Sequence, residues 1–394
     1  MAVSARHSPP GAPLRLRESL VEVARREWRT PADFSLASLE RFLTDQGVVG
    51  AHAPPTEISD RAVGAAILLG GDLRLDRTES HPRASPAPEV PAACAVVYAA
   101  SAGARSVAAA PTPGGPARIG KWTPSWTVGD HAEAVTRVRD LIADGSVYQV
   151  NIVGHQSAPF EGSGAAVGYA LSQLSDTPYA GAMTGPGWSV FSASPECLLE
   201  VVGGVAYTRP IKGTAAIGLN ATADAVAHAA LLASSKDRAE HIMIVDLARN
   251  DLSRVSTVGG VSVPELYSVR RLAGVWHAES TVRAVLAPGV GLAALLGAVF
   301  PGGSVTGAPK RAALHAIDSL EPVGRGPAMG AMGWLGSDGD IRLGLTIRTV
   351  AIAADRIHLW TGGGVTWGSK PADEVAEAAV KAAPLLAALR RHAG

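Results

Sequence analysis

The stretch Trp188–Thr214, WSVFSASPECLLEVVGGVAYTRPIKGT, reads as strand, break, strand, turn, strand. Gly203-Gly204 sits between two β-rich runs, the signature of a two-residue hairpin. A hairpin closed there opposes Val202 to Val205 and, further out, Glu196 to Ile211, with Lys212 as the diagonal neighbour. An acid and an amine then emerge together at the open end. Six lysines stand against 29 arginines in this chain, so a lysine here calls for a chemical reason. Arginine keeps its proton in a protein, whereas lysine can lose it and attack. The pair reads equally as acid and nucleophile or as a surface ion pair worth little.

The chain has 394 residues, 47% hydrophobic and 18% charged, with formal net charge zero. It can bury a large core, in two domains or one large one. Neutral balance and 5% aromatics argue against a nucleic-acid groove or a membrane-surface role. Cys94 and Cys197 make no disulfide framework, which suits a reducing cytoplasm. No apolar run reaches membrane-spanning length, and the N-terminal twenty residues lack the apolar core of a secretory signal. Glu79–Ala93 and Ala109–Arg118 are rich in Pro, Gly and Ala and read as flexible connections. After Lys121, helical and strand patterns alternate with Gly-rich turns, which indicates an α/β or α+β catalytic body.

Two segments carry acids at helical spacing. Ser234–Val255 places Asp237 and Glu240 at i and i+3; Ser369–Leu389 places Glu374, Glu377 and Lys381 on one face. First-turn acids are favoured by the helix dipole alone, but acids among apolar residues need a cation or a partner. Facing one cleft, they would offer oxygen ligands to a hard cation such as Mg²⁺; no His or Cys cluster has zinc spacing. The turns FPGGSVTGAPK (Phe300–Lys310) and WTGGGVTWGS (Trp360–Ser369) offer backbone N–H groups to an anion. The first fails the phosphate-loop pattern after Gly307. Arg348, read as lying on a strand, would join the amides after Gly362 in gripping a carboxylate.

Taken in order, GSVYQVNIV, SPECLLEV, TRPIKGT, KDRAEHIMIVDLARNDL, FPGGSVTGAPK, IRT and GGGVTWGSKPADE resemble the motifs of chorismate-utilising enzymes. That family includes anthranilate synthase component I, aminodeoxychorismate synthase component I, and isochorismate and salicylate synthases. The resemblance spans roughly Lys121 to Ala388. It makes residues 121–394 a chorismate-binding catalytic domain and 1–120 a divergent N-terminal region with Pro/Gly-rich linkers. The fold it implies is the two-sheet sandwich of anthranilate synthase component I, with helices outside and the site in the central cleft.

Water-using members carry a lysine where this chain has Gln149, so the chain resembles the nitrogen-using members. Among those, Pro-Ile-Lys-Gly-Thr, here Pro210–Thr214, is the aminodeoxychorismate synthase pattern, and alanine is usual at the lysine position in anthranilate synthases. The resemblance implies Lys212 as covalent nucleophile, Glu196 as proton donor and His277 near the ring. It implies Arg348, Gly362, Gly364, Lys381, Ser304, Thr306, Gln149 and Thr214 around the substrate. Glu240 and Glu377 would be the primary Mg²⁺ ligands, supported by Asp237 and Glu374. Neither cysteine has the glycines of a glutaminase elbow, so ammonia would come from a separate glutamine amidotransferase. The chain departs from the pattern at Ala328, where the family has Tyr, with Trp334 as the later aromatic. An anthranilate synthase and a non-catalytic chorismate-binding subunit are the alternatives.

Overall fold

The structure, a computed structural model, describes residues 20–48, 62–75, 81–100, 115–272 and 275–392. In chain order its strands are β1 (Leu20–Trp28), β2 (Ala62–Leu69), β3 (Ala93–Ala100), β4 (Ala117–Ile119), β5 (Thr123–Pro124) and β6 (Gln149–Gly162). There follow β7 (Tyr179–Gly185), β8 (Trp188–Ser194), β9 (Cys197–Val202), β10 (Val205–Arg209), β11 (Ile211–Ala216) and β12 (Ser256–Leu272). The last six are β13 (Val275–Leu286), β14 (Gly307–Ala308), β15 (Ala331–Gly336), β16 (Ile341–Leu345), β17 (Thr349–Ala353) and β18 (Arg356–Val365). The helices are α1 (Leu36–Asp45), α2 (Val128–Ala143), α3 (Gly164–Ser172), α4 (Ala221–Ala233), α5 (Ser235–Ser253), α6 (Leu292–Val299), α7 (Lys310–Leu320) and α8 (Pro371–His392).

The described strands form two sheets, antiparallel at every pairing. One has the order β1-β3-β2-β15-β16-β9-β10-β13-β11, with β12 on β13; the other has β14-β6-β18-β17-β8-β7, with β4 and β5 on β6. The fold is therefore a mixed α and β sandwich of antiparallel sheets, as the resemblance implied. Strands β1 to β3 join the same sheet as β15 and β16. The largest apolar cluster draws on both sheets, from Ile67, Leu199 and Leu343 on the first to Val190 and Trp360 on the second. A second cluster lies under α3 and α8, and a third under α2 and α7, on the outer face of the second sheet. β6 is thus covered on both faces, which explains its unbroken buried run from Gln149 to His155.

The decisive hairpin closes at Gly203-Gly204 with the expected register: Val205 opposes Val202, Ala206 Val201 and Tyr207 Glu200. An irregularity then pairs Arg209 with Cys197, and beyond Pro210 the chain leaves β9 so that β11 pairs with β13. Glu196 consequently meets Ile211 through its side chain: the Ile211 N–H donates to Glu196 Oε1 at 3.4 Å. Two readings need correction. Residues 81–93 are packed, not flexible. Ala87, Val90 and Ala93 are buried and Gly324 N–H donates to Ala84 O, because small apolar residues alternate with the prolines. Of the second stretch, 109–114 lie outside the described residues, and Ala117–Ile119 form β4.

Arg325, in the loop leading into β15, is 2% exposed. It makes a two-pronged pair with Glu321 (2.9 and 2.6 Å) and donates to the carbonyls of Val305 (2.6 Å) and Asn151 (2.8 Å). Glu321 in turn accepts from the Val153 N–H at 2.9 Å. Replacing Arg325 by Met would leave Glu321 buried without its cation. We expect R325M to lose about 3–5 kcal/mol of stability, read as a lowered midpoint of chemical denaturation.

Candidate active site

A cavity of about 190 Å³ lies between the two sheets. Its walls include Glu196, Lys212, Thr214, His277, Ser304, Arg348, Gly362, Gly364 and Lys381, with Asp237, Glu240, Glu374 and Glu377 along one side. Sequence reading had singled out all thirteen, and the tertiary fold brings them together from β11, β13, β18, α5, α8 and three connecting turns. Lys212 stands on β11, two residues beyond the Pro210 break. Its accessible surface opens on the cavity. Burial, aided by the Lys381 ammonium, pushes its amine below the ordinary lysine value, while Glu240, Glu377 and Glu374 oppose the shift.

Glu196 is 4% exposed, which removes the surface-ion-pair reading. Its Oε1 accepts from Ser304 Oγ at 2.5 Å as well as from the Ile211 amide. Burial nevertheless raises its carboxyl to about 7, because desolvation outweighs both bonds. His277 is buried on β13 beside Thr214 of β11. Arg348 Nη2 lies 3.1 Å from His277 Nε2, and Thr214 Oγ1 lies 3.2 Å from Nδ1. A guanidinium only donates, so Nε2 accepts and Nδ1 carries the hydrogen. Burial and the Arg348 charge lower His277 to about 3, so the ring is neutral.

Arg348 is not on a strand. It occupies the break between β16 and β17 with φ of 49°, a left-handed conformation that turns its side chain out of the sheet pattern. The triple glycine is likewise no turn: Gly362 to Gly364 belong to β18 and pair with Val153, Ile152 and Asn151 of β6. Lys381 Nζ donates to the Gly362 carbonyl at 3.1 Å. In an extended strand the N–H of a residue points the same way as its C=O, so the Gly362 amide also faces the cavity edge. These amides therefore belong to a strand and not to a Gly-rich turn. A side chain at Gly362 would collide with the Ile152 carbonyl, and one at Gly364 would overlap Lys212 Nζ. Glycine at 364 is the space that the amine occupies.

Two residues fall behind the wall. Thr306 is buried and donates to the Gly302 carbonyl at 2.8 Å. Gln149 is fully buried; both polar atoms of its amide lack a partner, and it lies beside Gly364, 2.8 Å from where a Cβ would stand. Sequence reasoning missed Asn151, Pro195, Val305, Met329, Ile347, Trp360 and Thr361, which with Ile211 and Gly213 complete the lining. It also missed Thr366 and Ser369. Thr366 Oγ1 donates to Glu240 Oε1 at 2.7 Å, and Ser369 Oγ donates to Glu374 Oε1 at 2.5 Å. Lys381 pairs with Glu377 at 2.7 Å, one helical turn away on α8. Burial, and the neighbouring Glu377, raise Glu374 above the usual carboxylate range. Among the described residues no three acids or imidazoles converge as a ready-made metal cluster. The four acids are hard oxygen donors on one side of the cavity. That donor set fits Mg²⁺ better than a softer metal.

Residues 74–387 match the family described as chorismate binding enzyme, and the chain belongs to that family. It is 41% identical over 266 residues to an aminodeoxychorismate synthase from Streptomyces pristinaespiralis, covering 67% of this chain and 37% of that one. It is 34% identical over 274 residues to aminodeoxychorismate synthase component 1 of Bacillus subtilis, covering 70% and 58%. Anthranilate synthase component 1 of Streptomyces coelicolor is nearly as similar, 37% over 271 residues, covering 68% and 53%. The chain thus spans between about a third and three fifths of these relatives' lengths. In fold it is similar to anthranilate synthase component I from Streptococcus pneumoniae, with TM-score 0.74, 22% identity and coverage of 97% and 95%. The menaquinone-specific isochorismate synthase of Escherichia coli gives 0.65 at 18% identity, with coverage of 91% and 100%. No helix among the described residues is long and apolar enough to cross a membrane.

Because a Cβ at 364 would meet both Lys212 Nζ and the fully buried Gln149 amide, G364A should displace the lysine amine and lower the thermal midpoint, which thermal unfolding reads.

Proposed function

We propose that the chain is the chorismate-aminating component of an aminodeoxychorismate synthase, acting through a covalent intermediate on Lys212 and taking ammonia from a separate glutamine amidotransferase. The observation that carries this reading is the placement of Lys212. Its amine is held against Gly364 inside the cavity, with burial favouring the neutral, nucleophilic form. The relatives named aminodeoxychorismate synthase support it.

In this mechanism the neutral Lys212 amine adds to C2 of the ring. The C1=C2 electrons move to C1=C6, those of C5=C6 move to C4=C5, and the C4–O bond breaks so that the hydroxyl leaves as water with the proton of Glu196. Ammonia then adds at C4, the electrons return, and the C2–N bond breaks to restore the lysine amine. The product is 4-amino-4-deoxychorismate, its new nitrogen para to the ring carboxylate. Neutral His277, held by Arg348 and Thr214, offers shape and a polar edge without a competing charge. Arg348, Lys381 and the Gly362 amide grip substrate carboxylate. Glu240 and Glu377, with Asp237 and Glu374 supporting, would hold Mg²⁺, which supplies charge screening for the anionic substrate and polarises its oxygen. Gln149 is neutral and cannot act as a base toward water, which favours a nitrogen nucleophile. Burial pushes the Cys197 thiol, like that of Cys94, up to about 12, so neither supplies the thiolate of a glutaminase.

The test is intact-protein mass spectrometry with product analysis. With chorismate and no ammonia, the wild type should gain a ring-derived adduct that K212A lacks; with ammonium it should form the enolpyruvyl amine. Fluorescent anthranilate, with K212A fully active, would make the chain an anthranilate synthase instead. Tight chorismate binding with no turnover, even with an amidotransferase present, would leave a binding subunit.

The two shifts also set a pH profile. Glu196 must be protonated to act, so turnover falls as pH rises through about 7. Lys212 must be neutral, so turnover also falls on the acid side. The Ser304 bond favours the charged carboxylate, so S304A should move the alkaline limb to higher pH, read from kcat against pH.

A further inference from the structure

Adjoining Glu196 is a second and smaller cavity of about 30 Å³. Glu196 and Ser304 line both cavities, so this pair is the partition between them. The second cavity has further polar walls at Thr208 and Asp251 and apolar walls at Ile244, Ala248, Val299 and Leu345. A water needs about 10–15 Å³ and two to four polar partners, so this space suits one or two waters. Asp251 of that wall is paired with Lys310 at 2.8 Å, and both side chains keep a share of solvent exposure, 10% and 16%. Glu196 spends Oε1 on Ser304 and Ile211, and neither bond occupies Oε2.

We infer that the second cavity is a proton path to Glu196, with Asp251 as its positioning residue at the solvent end and water between them. The inference rests on Glu196 being the acid of the proposed reaction. Proton balance calls for such a path. When neutral ammonia becomes the ammonium of the product, each turnover takes one proton from Glu196 to the departing C4 oxygen. The O–H bond of Glu196 breaks and the O–H bond of the leaving water forms. Glu196 must then be recharged, while the substrate cavity is filled by the ring. In the second cavity a water gives its proton to Glu196 and takes one from the Asp251 carboxyl, which takes one from bulk solvent. No oxidant or further reactant enters. Lys212 and Glu279 face Glu196 from β11 and β13. Lys310 at the start of α7 and Arg254 just past α5 face Asp251. Burial holds the Asp251 carboxyl above the usual range in spite of both cations, which eases its protonation.

Two variants test this. D251N keeps the shape and removes the exchangeable proton; A248V keeps every polar group and fills the water space. Chorismate consumption is followed in H₂O and D₂O across pH, with thermal unfolding as the check on folding. We expect kcat in both variants to fall about tenfold, a fraction of what loss of the acid itself would cost. KM for chorismate should be unchanged, the solvent isotope effect on kcat should rise, and the fall should steepen as pH rises and protons become scarce. Unchanged kcat and isotope effect in A248V overturns the path, including where D251N fails to fold. A raised KM for ammonium with no isotope effect overturns it in favour of an ammonia passage. Chorismate consumption is measured whichever amine forms, so a wrong product assignment leaves this result standing. A wild type that consumes no chorismate removes the parent reading and the path together.

Discussion

The buried pairing of Arg325 with Glu321 is the constraint on which the site depends. One guanidinium joins the loop entering β15, the carbonyl of Asn151 on β6 and the carbonyl of Val305 in the Gly-rich turn. Those three segments belong to the first sheet, the second sheet and the wall that carries Ser304. A planar fork with five donors can satisfy all of them at once, which an ammonium could not do with fixed geometry. Because the pair is dry, each member needs the other; the cavity walls are therefore held in register by electrostatics as well as by the apolar core between the sheets.

Within those walls one cause moves two groups in opposite directions. Desolvation raises the Glu196 carboxyl to about 7 and lowers the Lys212 amine below the ordinary lysine value, so burial favours the neutral form of each. In water the same two groups would exchange a proton and neither could act. The neighbouring hydroxyls and acids only trim these shifts. Ser304 favours the ionised form of Glu196, and the acids of α5 and α8 favour the charged amine. A cation held by those acids would weaken the second effect.

The hairpin register was legible because a glycine pair marks its turn and the side-chain period of a strand is two. The two acid-bearing helices were legible from their 3.6-residue period; α5 and α8 begin within two residues of the expected starts. The triple glycine was misread because glycine punctuates turns far more often than it fills strands. Here it lies in a strand because another strand and the end of a lysine press against it. Arg348 was misread because a left-handed residue between two strands leaves no periodic trace. Residues 81–93 looked like linker because proline content resembles a linker whether or not the segment is packed.

By itself the sequence determined the hairpin closure, the two acid-bearing helices and the set of residue types the chemistry needs, since local periodicity and turn preference are written in neighbouring residues. Its motifs also carried the family resemblance. Only the tertiary structure decided which of these residues meet, that Glu196 is buried and Lys212 half-buried at the cavity, that Gly364 is the space beside the amine, and that a second cavity adjoins the acid. Burial is a property of the whole packed chain, and it is burial that pushes both groups toward their neutral forms.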